Sequence, residues 1–448
     1  MKTRELNKYL PILFLLISLL FALVYDLRYS LNIPIADQWT MIKHLDHLDI
    51  KYLWANHNEH IILFPKIIFF FLAKLTHWNI YAEIILGWVL FSALMLFLYY
   101  SLLSKEISSN ITNRSMLIAG SLLIFCAPIH YQNWLWGWQI QILLSVLSSV
   151  IGVYLISNIG GNVKVESLGI LGTMLSMIVA GYSFFSGLIA AFIIVLIGLY
   201  MFRCKKITIL STFILIASLL AILLSYYFNI PRAGQLSVNP ADCVRIILFI
   251  PTYLGVIFSV ARTGGPLILT RAAEIAAFIM GISLLSYSVI IMLNIKTIMA
   301  KYAKNTRLIY PAGLAAFSLL IGLSLALSRG NYGISAALTS RYRLFSMLFV
   351  IGTAYFAAYS KTLNNIFKYK YARTTIIVVF AVIYLFNWTM GIEIGKKWVE
   401  KYEILTNIGS NNIDRIPSDY VGGISKEEIM NDLIFLKTNK LALYRHKT

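Results

Sequence analysis

The sequence predicts an all-α fold, a polytopic integral membrane protein with about eleven transmembrane helices plus interfacial or re-entrant helices. Three observations carry that expectation. The 448 residues are 59% hydrophobic and only 13% charged, and the mean hydropathy of +0.76 lies far above that of soluble globular chains. Residues 115–163 and 167–202 contain no Asp, Glu, Lys or Arg, so each stretch has room for paired helices of roughly 20 residues. Bases, finally, gather in short segments between the apolar runs with no acid beside them.

The first run, 9–25, follows the basic start Lys2, Arg4, Lys8. No small-residue cleavage site comes after it, so it reads as a retained helix and not a signal peptide. The runs 80–103, 115–130, 137–157, 167–182, 184–202, 207–228, 267–294, 309–327, 343–360 and 374–393 complete the set. Two further apolar stretches are set apart. Residues 61–73 are short for a spanning helix, and 243–260 carries Arg245 and Pro251 with Arg262 just beyond. Charge decides how they are threaded. The acid-free groups Lys296, Lys301, Lys304, Arg307 and Lys361, Lys368, Lys370, Arg373, together with "RCKK" at 203–206, belong on the cytoplasmic side. With a cytoplasmic amino terminus they share that side only if 61–73 and 243–260 lie at the interface or re-enter it.

This threading expects a multi-pass protein of the bacterial inner membrane. It puts "HNEH" (57–60), "HYQNWLWGWQ" (130–139), "YSFFSG" (182–187), "NIPRAGQ" (229–235) and "SRGNYG…SRYR" (328–343) together on the periplasmic face. Residues 1–393 then form a membrane domain, within which 26–79 is a first periplasmic loop with an interfacial helix. Residues 394–448 form a small periplasmic tail, marked by the "SKEE" capping box at 425–428. The three cysteines fall at different membrane depths, so no disulfide framework is expected. The formal charge of +19 reflects cytoplasmic loops and implies no nucleic-acid partner.

Chemistry concentrates in three places. The first loop holds Asp37, Asp46, Asp49 and Glu59 with His44, His47, His57 and His60. Asp37, in "IADQW", or Glu59 can accept a proton from a sugar hydroxyl at the water–lipid boundary, whereas Asp46 and Asp49 read as solvated or capping residues. His57 and His60 are three apart, which on a helix would put them on one face. A divalent metal held with Glu59 is the lesser expectation, and contact with lipid phosphate or a neighbouring loop the greater; no cofactor is otherwise expected. In the second place, Trp134, Trp136 and Trp138 are flanked by Gln132, Asn133, Gln139 and Gln141. Rings that stack on C–H faces and amides that bond hydroxyls suit a neutral sugar, although tryptophan also marks membrane interfaces without a ligand. In the third, Arg329, Arg341 and Arg343 stand at helix ends on the face where bases are disfavoured. Their forks suit phosphate, or pairing with Glu59 or Asp37; Arg232 and Lys66 are further candidates for a lipid phosphate.

The acid in the first outer loop, the amphipathic segment after it and the outward arginines resemble the GT-C superfamily of polyprenyl-phosphate-sugar-dependent glycosyltransferases. "HNEHIILFPK", "NWLWGWQ", "YSFFSGL" and "SRGNYG…ALTSRY" resemble a set of bacterial membrane proteins with the same motifs in the same order, over most of residues 30 to 345. The resemblance implies inverting transfer of a sugar from a polyprenyl-phosphate-linked donor to a periplasmic glycan or lipid-linked acceptor such as O-antigen in lipopolysaccharide, among membrane lipids. It implies Asp37 as general base with Glu59 as second choice, and Arg329 and Arg341 against the leaving phosphate. The superfamily's second acid, which often follows closely, has no near counterpart before Asp46. Two other functions compete: a polymerase of O-antigen repeats, and a transporter or flippase of lipid-linked sugars. The uncharged runs argue against the transporter, since Glu83 and Glu274 are the main ionisable residues within spans.

Overall fold

A computed structural model describes residues 2–45, 49–107, 113–160, 163–229, 240–259, 267–293, 308–359, 370–407, 416–421 and 423–445. Asp46, His47, Arg232 and Arg262 lie outside these residues. The described chain is almost wholly helical, with α1 Lys2–Tyr29, α2 Ile50–Trp54, α3 Leu63–Thr76, α4 Ile80–Ile107, α5 Asn113–Phe125, α6 Tyr131–Leu135, α7 Ile140–Asn158, α8 Val163–Gly181, α9 Ser186–Arg203, α10 Ile209–Asn229, α11 Pro240–Gly255, α12 Leu267–Leu293, α13 Ile309–Arg329, α14 Arg343–Tyr359, α15 Lys370–Tyr402 and α16 Lys426–Thr438. Among the described residues nine of these, α1, α4, α7, α8, α9, α10, α12, α13 and α15, are long and apolar enough to cross a membrane. The chain is therefore a multi-pass membrane protein by the length and composition of its helices.

Two of the eleven predicted spans are not among these nine. α5 has 13 residues and stops at Phe125, because Pro128 brings no N–H to the ladder and opens a 3₁₀ turn instead. α14 has 17 residues in its described part. Both pack within the bundle, α5 against α14 and α4. α15 departs in the other direction. Its 33 residues reach about 50 Å, and it runs unbroken through the expected boundary at 393. Gly395 near its end lies against the Tyr29 ring and the Tyr25 hydroxyl, so the tail proper begins beyond this helix.

α3 and α11 are the two stretches set apart by the sequence. α3 buries Pro65, Lys66, Phe69 and Ala73 and exposes Ile67, Phe71 and Leu75, an apolar outer face on a helix about 21 Å long. α11 starts beside the end of α13, with Ile246 next to Gly330. It descends until the Tyr253 hydroxyl donates to the Ser318 carbonyl 3.2 Å away, half-way along α13. Beyond α11, the Ser259 carbonyl accepts from Arg343 at the start of α14, 3.0 Å away. α11 thus reaches into the bundle. Its crossing with α12 is backbone to backbone: a Cβ on Gly255 would strike the Ala277 carbonyl, and one on Gly281 would strike Pro251. Small residues at such crossings let helices approach closely where lipid supplies no hydrophobic drive.

Among the described residues, the first loop, the turns around 130–139 and the segment after α13 meet at one end of the bundle. A 3₁₀ helix, Ala36–His44, lies across that end. The tail clamps it: Lys43 pairs with Glu428 at 2.6 Å, and α16 begins with a capping box between Ser425 and Glu428. The tail also reaches the loops beneath. The Ala442 N–H donates to the His77 carbonyl at 3.0 Å, and Asn32 Nδ2 donates to the Ala442 carbonyl at 3.2 Å.

Candidate active site

The 3₁₀ helix that carries Asp37 is held from below by a buried acid. Gln38 Nε2 donates to Glu83 Oε2 at 2.7 Å, and the Trp78 indole donates to Glu83 Oε1 at 2.9 Å. Gln38 Oε1 in turn accepts from the Ile35 N–H, and the Trp136 indole donates to the Ile35 carbonyl, both at 3.0 Å. Gly137 is required beside them, since a Cβ there would lie 2.5 Å from Glu83 Oε2. Glu83 at the start of α4 thus anchors the loop. Glu83→Ala would leave two buried donors unsatisfied, at about 1–3 kcal/mol each. The expected result is a clearly lower melting temperature in detergent and a large loss of activity, with Glu83→Gln milder; an Ala variant that melts like the wild type would discard this anchor.

The motif "HNEH" does not form a helix. His57 and His60 are cross-strand partners in a two-stranded hairpin, β1 Asn56–His57 and β2 His60–Ile61. Asn58 and Glu59 make its turn, with Asn58 at φ 53°, a left-handed conformation that asparagine tolerates. The predicted shared helical face is thus replaced by a turn that sends the two histidines to different neighbours. His57 Nε2 lies 3.6 Å from Asp37 Oδ2, and its ring meets Trp138 edge-on. His60 packs on Phe184, with ring centroids 4.2 Å apart. At the turn, Glu59 lies 3.7 Å from Arg329 at the end of α13. The pairing of one of these arginines with Glu59 that the sequence left open is present. Arg329 remains one-third exposed and Glu59 more than half exposed.

Burial first, then His57 and Arg329, with Arg341 adding less, push His60 down to about 3. An unfolded histidine titrates near 6.5, so between those values the unfolded chain binds the extra proton and stability falls as pH drops from about 6.5. His60→Gln is expected to flatten the fall in melting temperature between about pH 7.5 and about pH 5. Equal slopes for the two proteins would count against it.

Two predicted phosphate ligands have other tasks. The Lys66 ammonium donates to the carbonyls of Tyr52 and Ala55, at 2.7 and 2.6 Å, closing the end of α2; burial lowers it to about 8. Arg343 is buried, and its guanidinium donates to the carbonyls of Ser259 and Leu338. Arg341 stands nearer the site. Its guanidinium lies over the Tyr342 ring, its buried Nε has no hydrogen-bond partner, and its backbone is held by Gln132 and Asn133.

The tryptophans divide into three roles. Trp134 is core, edge-on to Phe91 and Tyr25. Trp136 fixes Ile35, as above. Trp138 stacks on Phe69 at 4.9 Å and touches His57. Four buried polar atoms of these segments have no hydrogen-bond partner: Trp138 Nε1, Gln139 Oε1, Asn133 Oδ1 and His57 Nε2. Buried polar atoms are normally satisfied, so these four could bond a ligand or water, as could similar atoms elsewhere in the chain such as those of His130 and Asn387. Among the described residues, no three His, Cys, Asp or Glu side chains are grouped to hold a metal ion.

Sequence reasoning missed Gln38, Trp78 and Phe184. Gln38 sits next to Asp37 in "IADQW" and was legible as a polar neighbour, but its bond to Glu83 spans 45 residues. Glu274, another acid within a span, pairs with Arg271 one turn away on α12 at 2.8 Å. Comparison with protein-family models, with curated proteins and with solved structures gives no match.

Proposed function

We propose that the protein is a membrane glycosyltransferase that moves a sugar from a polyprenyl-phosphate carrier to a periplasmic glycan or lipid-linked acceptor, with inversion at the sugar carbon. The observation that carries this reading is the convergence of Asp37, His57 and Arg329, through Glu59, at one end of a membrane bundle beside unsatisfied buried amides and indoles. The acceptor hydroxyl gives its proton to Asp37 as its oxygen attacks the anomeric carbon. The bond from that carbon to the phosphate oxygen breaks, and the phosphate leaves with the electron pair. Arg329, released from exposed Glu59, bonds the departing oxygens, and Arg341 adds positive charge from the adjoining loop. His57 holds the Asp37 carboxylate in place, and Trp138 with Gln139 and Asn133 takes the sugar. The enzyme would lie in a bacterial inner membrane with this end periplasmic and the amino terminus cytoplasmic.

The test is direct. Purified protein in detergent, given a panel of polyprenyl-phosphate-linked sugars and a lipid-linked acceptor, should release polyprenyl phosphate in step with acceptor modification. Absence of release with every donor, from protein that melts cooperatively, would overturn the assignment. Orientation is tested separately: cysteine at position 335 should react with an impermeant maleimide in intact cells, and cysteine at 300 only after permeabilisation. The reverse labelling would move the site to the cytoplasm and exclude a periplasmic reaction.

A further inference from the structure

Helix α16 carries an acid where its pattern calls for an apolar residue. Within "IMNDLIFL" the buried side chains Ile429, Asp432, Leu433 and Leu436 recur three and four apart and form one stripe, and Asp432 is only 7% exposed. Its Oδ2 is buried without a hydrogen-bond partner. One turn earlier on the same helix, Glu428 takes the ammonium of Lys43, on the 3₁₀ helix that bears Asp37, at 2.6 Å. Two carboxylates thus share one lysine across the joint between tail and first loop, and Glu428 holds it. A carboxylate enclosed in an apolar stripe, with one oxygen lacking a donor, is costly while ionised and costs much less as the neutral acid.

We propose that α16 is an acid-strengthened latch: the tail docks more tightly on the helix bearing Asp37 once the Asp432 carboxyl takes up a proton. Burial lifts this carboxyl to about 6, with Lys43 opposing the rise and Glu428 adding to it. In an undocked tail an aspartate titrates near 3.9. Between those values the docked tail binds the extra proton, so docking strengthens as pH falls through about 6 and is weakest above it. The neighbouring groups do not supply this effect. The bond to Lys43 holds Glu428 below the usual carboxylate range, so that pair stays ionised above about pH 5. His44, beside Lys43, is pushed down by burial and then by Lys66, so its protonation in acid weakens the fold and acts in the opposite sense. Asp37 on the 3₁₀ helix, Tyr444 and Arg445 at the turn after α16, and Glu427 and Lys437 on the exposed side of α16 are the other charged or titratable groups on the described elements packed there.

Hydrogen–deuterium exchange of the full chain in detergent reads the latch without any substrate, so it stands or falls apart from the transferase reading. Protection factors for the amides of residues 429–438 are compared at about pH 5 and about pH 7.5, each referred to the intrinsic exchange rate at that pH. An acid moved from about 3.9 to about 6 makes the wild type about tenfold better protected at the lower pH. Asp432→Asn keeps the shape of the neutral acid, and Asp432→Leu completes the apolar stripe. Both should remove the gain, and both should be protected at about pH 7.5 at least as well as the wild type. A wild type no better protected in acid overturns the latch, as does a tenfold gain retained in either variant. Loss of protection at both pH values in both variants overturns it too, because the ionised carboxylate would then be what holds the tail.

Discussion

Asp37→Asn is expected to reduce sugar transfer by about 10²–10⁴-fold, the usual worth of a positioned general base. The protein should still insert and melt like the wild type. The substitution keeps the side chain's size, and its backbone carbonyl still accepts from the Thr40 hydroxyl at 2.7 Å, so the local turn survives. What is lost is the proton acceptor and the negative charge 3.6 Å from His57. The measurement is turnover of purified variant under saturating donor, with melting temperature as control. Undiminished turnover by Asp37→Asn would transfer the role to Glu59, and an unchanged rate in Glu59→Gln as well would end the carboxylate mechanism. Glu59→Gln alone should act differently: it frees Arg329 without removing the base, so it should alter donor affinity more than the maximal rate.

Arg329→Ala should lower the maximal rate by about 10²–10³-fold, the loss found when one fixed donor to a developing anion is removed. Arg329→Lys should recover only part of it. A lysine supplies the charge but not the planar fork that engages two phosphate oxygens together. The diagnostic feature is where the loss falls. Charge on the phosphate grows as the glycosidic bond breaks, so the defect belongs mainly to the rate constant and less to donor affinity. A loss confined to affinity would recast Arg329 as a headgroup anchor. A normal rate in the alanine variant would leave the leaving group without a stabiliser among the residues proposed.

Much of the scaffold was legible because spanning helices are written in composition, and uncharged runs of sufficient length admit few other structures. The positions where reading and structure part have local causes. "HNEH" has its histidines three apart, a spacing equally compatible with a helical face and with opposite ends of a two-residue turn. Asn58 resolves it by taking a positive φ, which a count of apolar residues does not register. α5 stops short because Pro128 interrupts a run that hydropathy alone carries to 130. α15 overshoots because "GIEIGKKWVEKY" contains charge but no proline, so the composition changes at 393 and the hydrogen-bond ladder does not. At the proposed site, residue types named candidates that the fold brings near one another, and contacts gave each its neighbours. Lys66 and Arg343 looked like phosphate ligands by charge, yet each is enclosed and held by carbonyls that only the tertiary fold brings near. Trp134, Trp136 and Trp138 were indistinguishable as letters, and their separate roles follow from which helix each one faces.

The clamp between the tail and the first loop sets an order of assembly. Asn32 is bonded to the Ala442 carbonyl across 410 residues, and Lys43 to Glu428 across 385. A chain inserted from its amino terminus can lay down α1 and α4, and bury Glu83 between them and the loop, long before those partners exist. The short helix bearing Asp37 must then wait, tethered only from below, until α16 emerges from the ribosome. Contacts so distant in sequence carry the largest closure cost and form last. The tail's bonds to Asn32 and Lys43 are therefore the last added to the first loop, after Asp37, His57, Glu59 and Arg329 already have one another as partners.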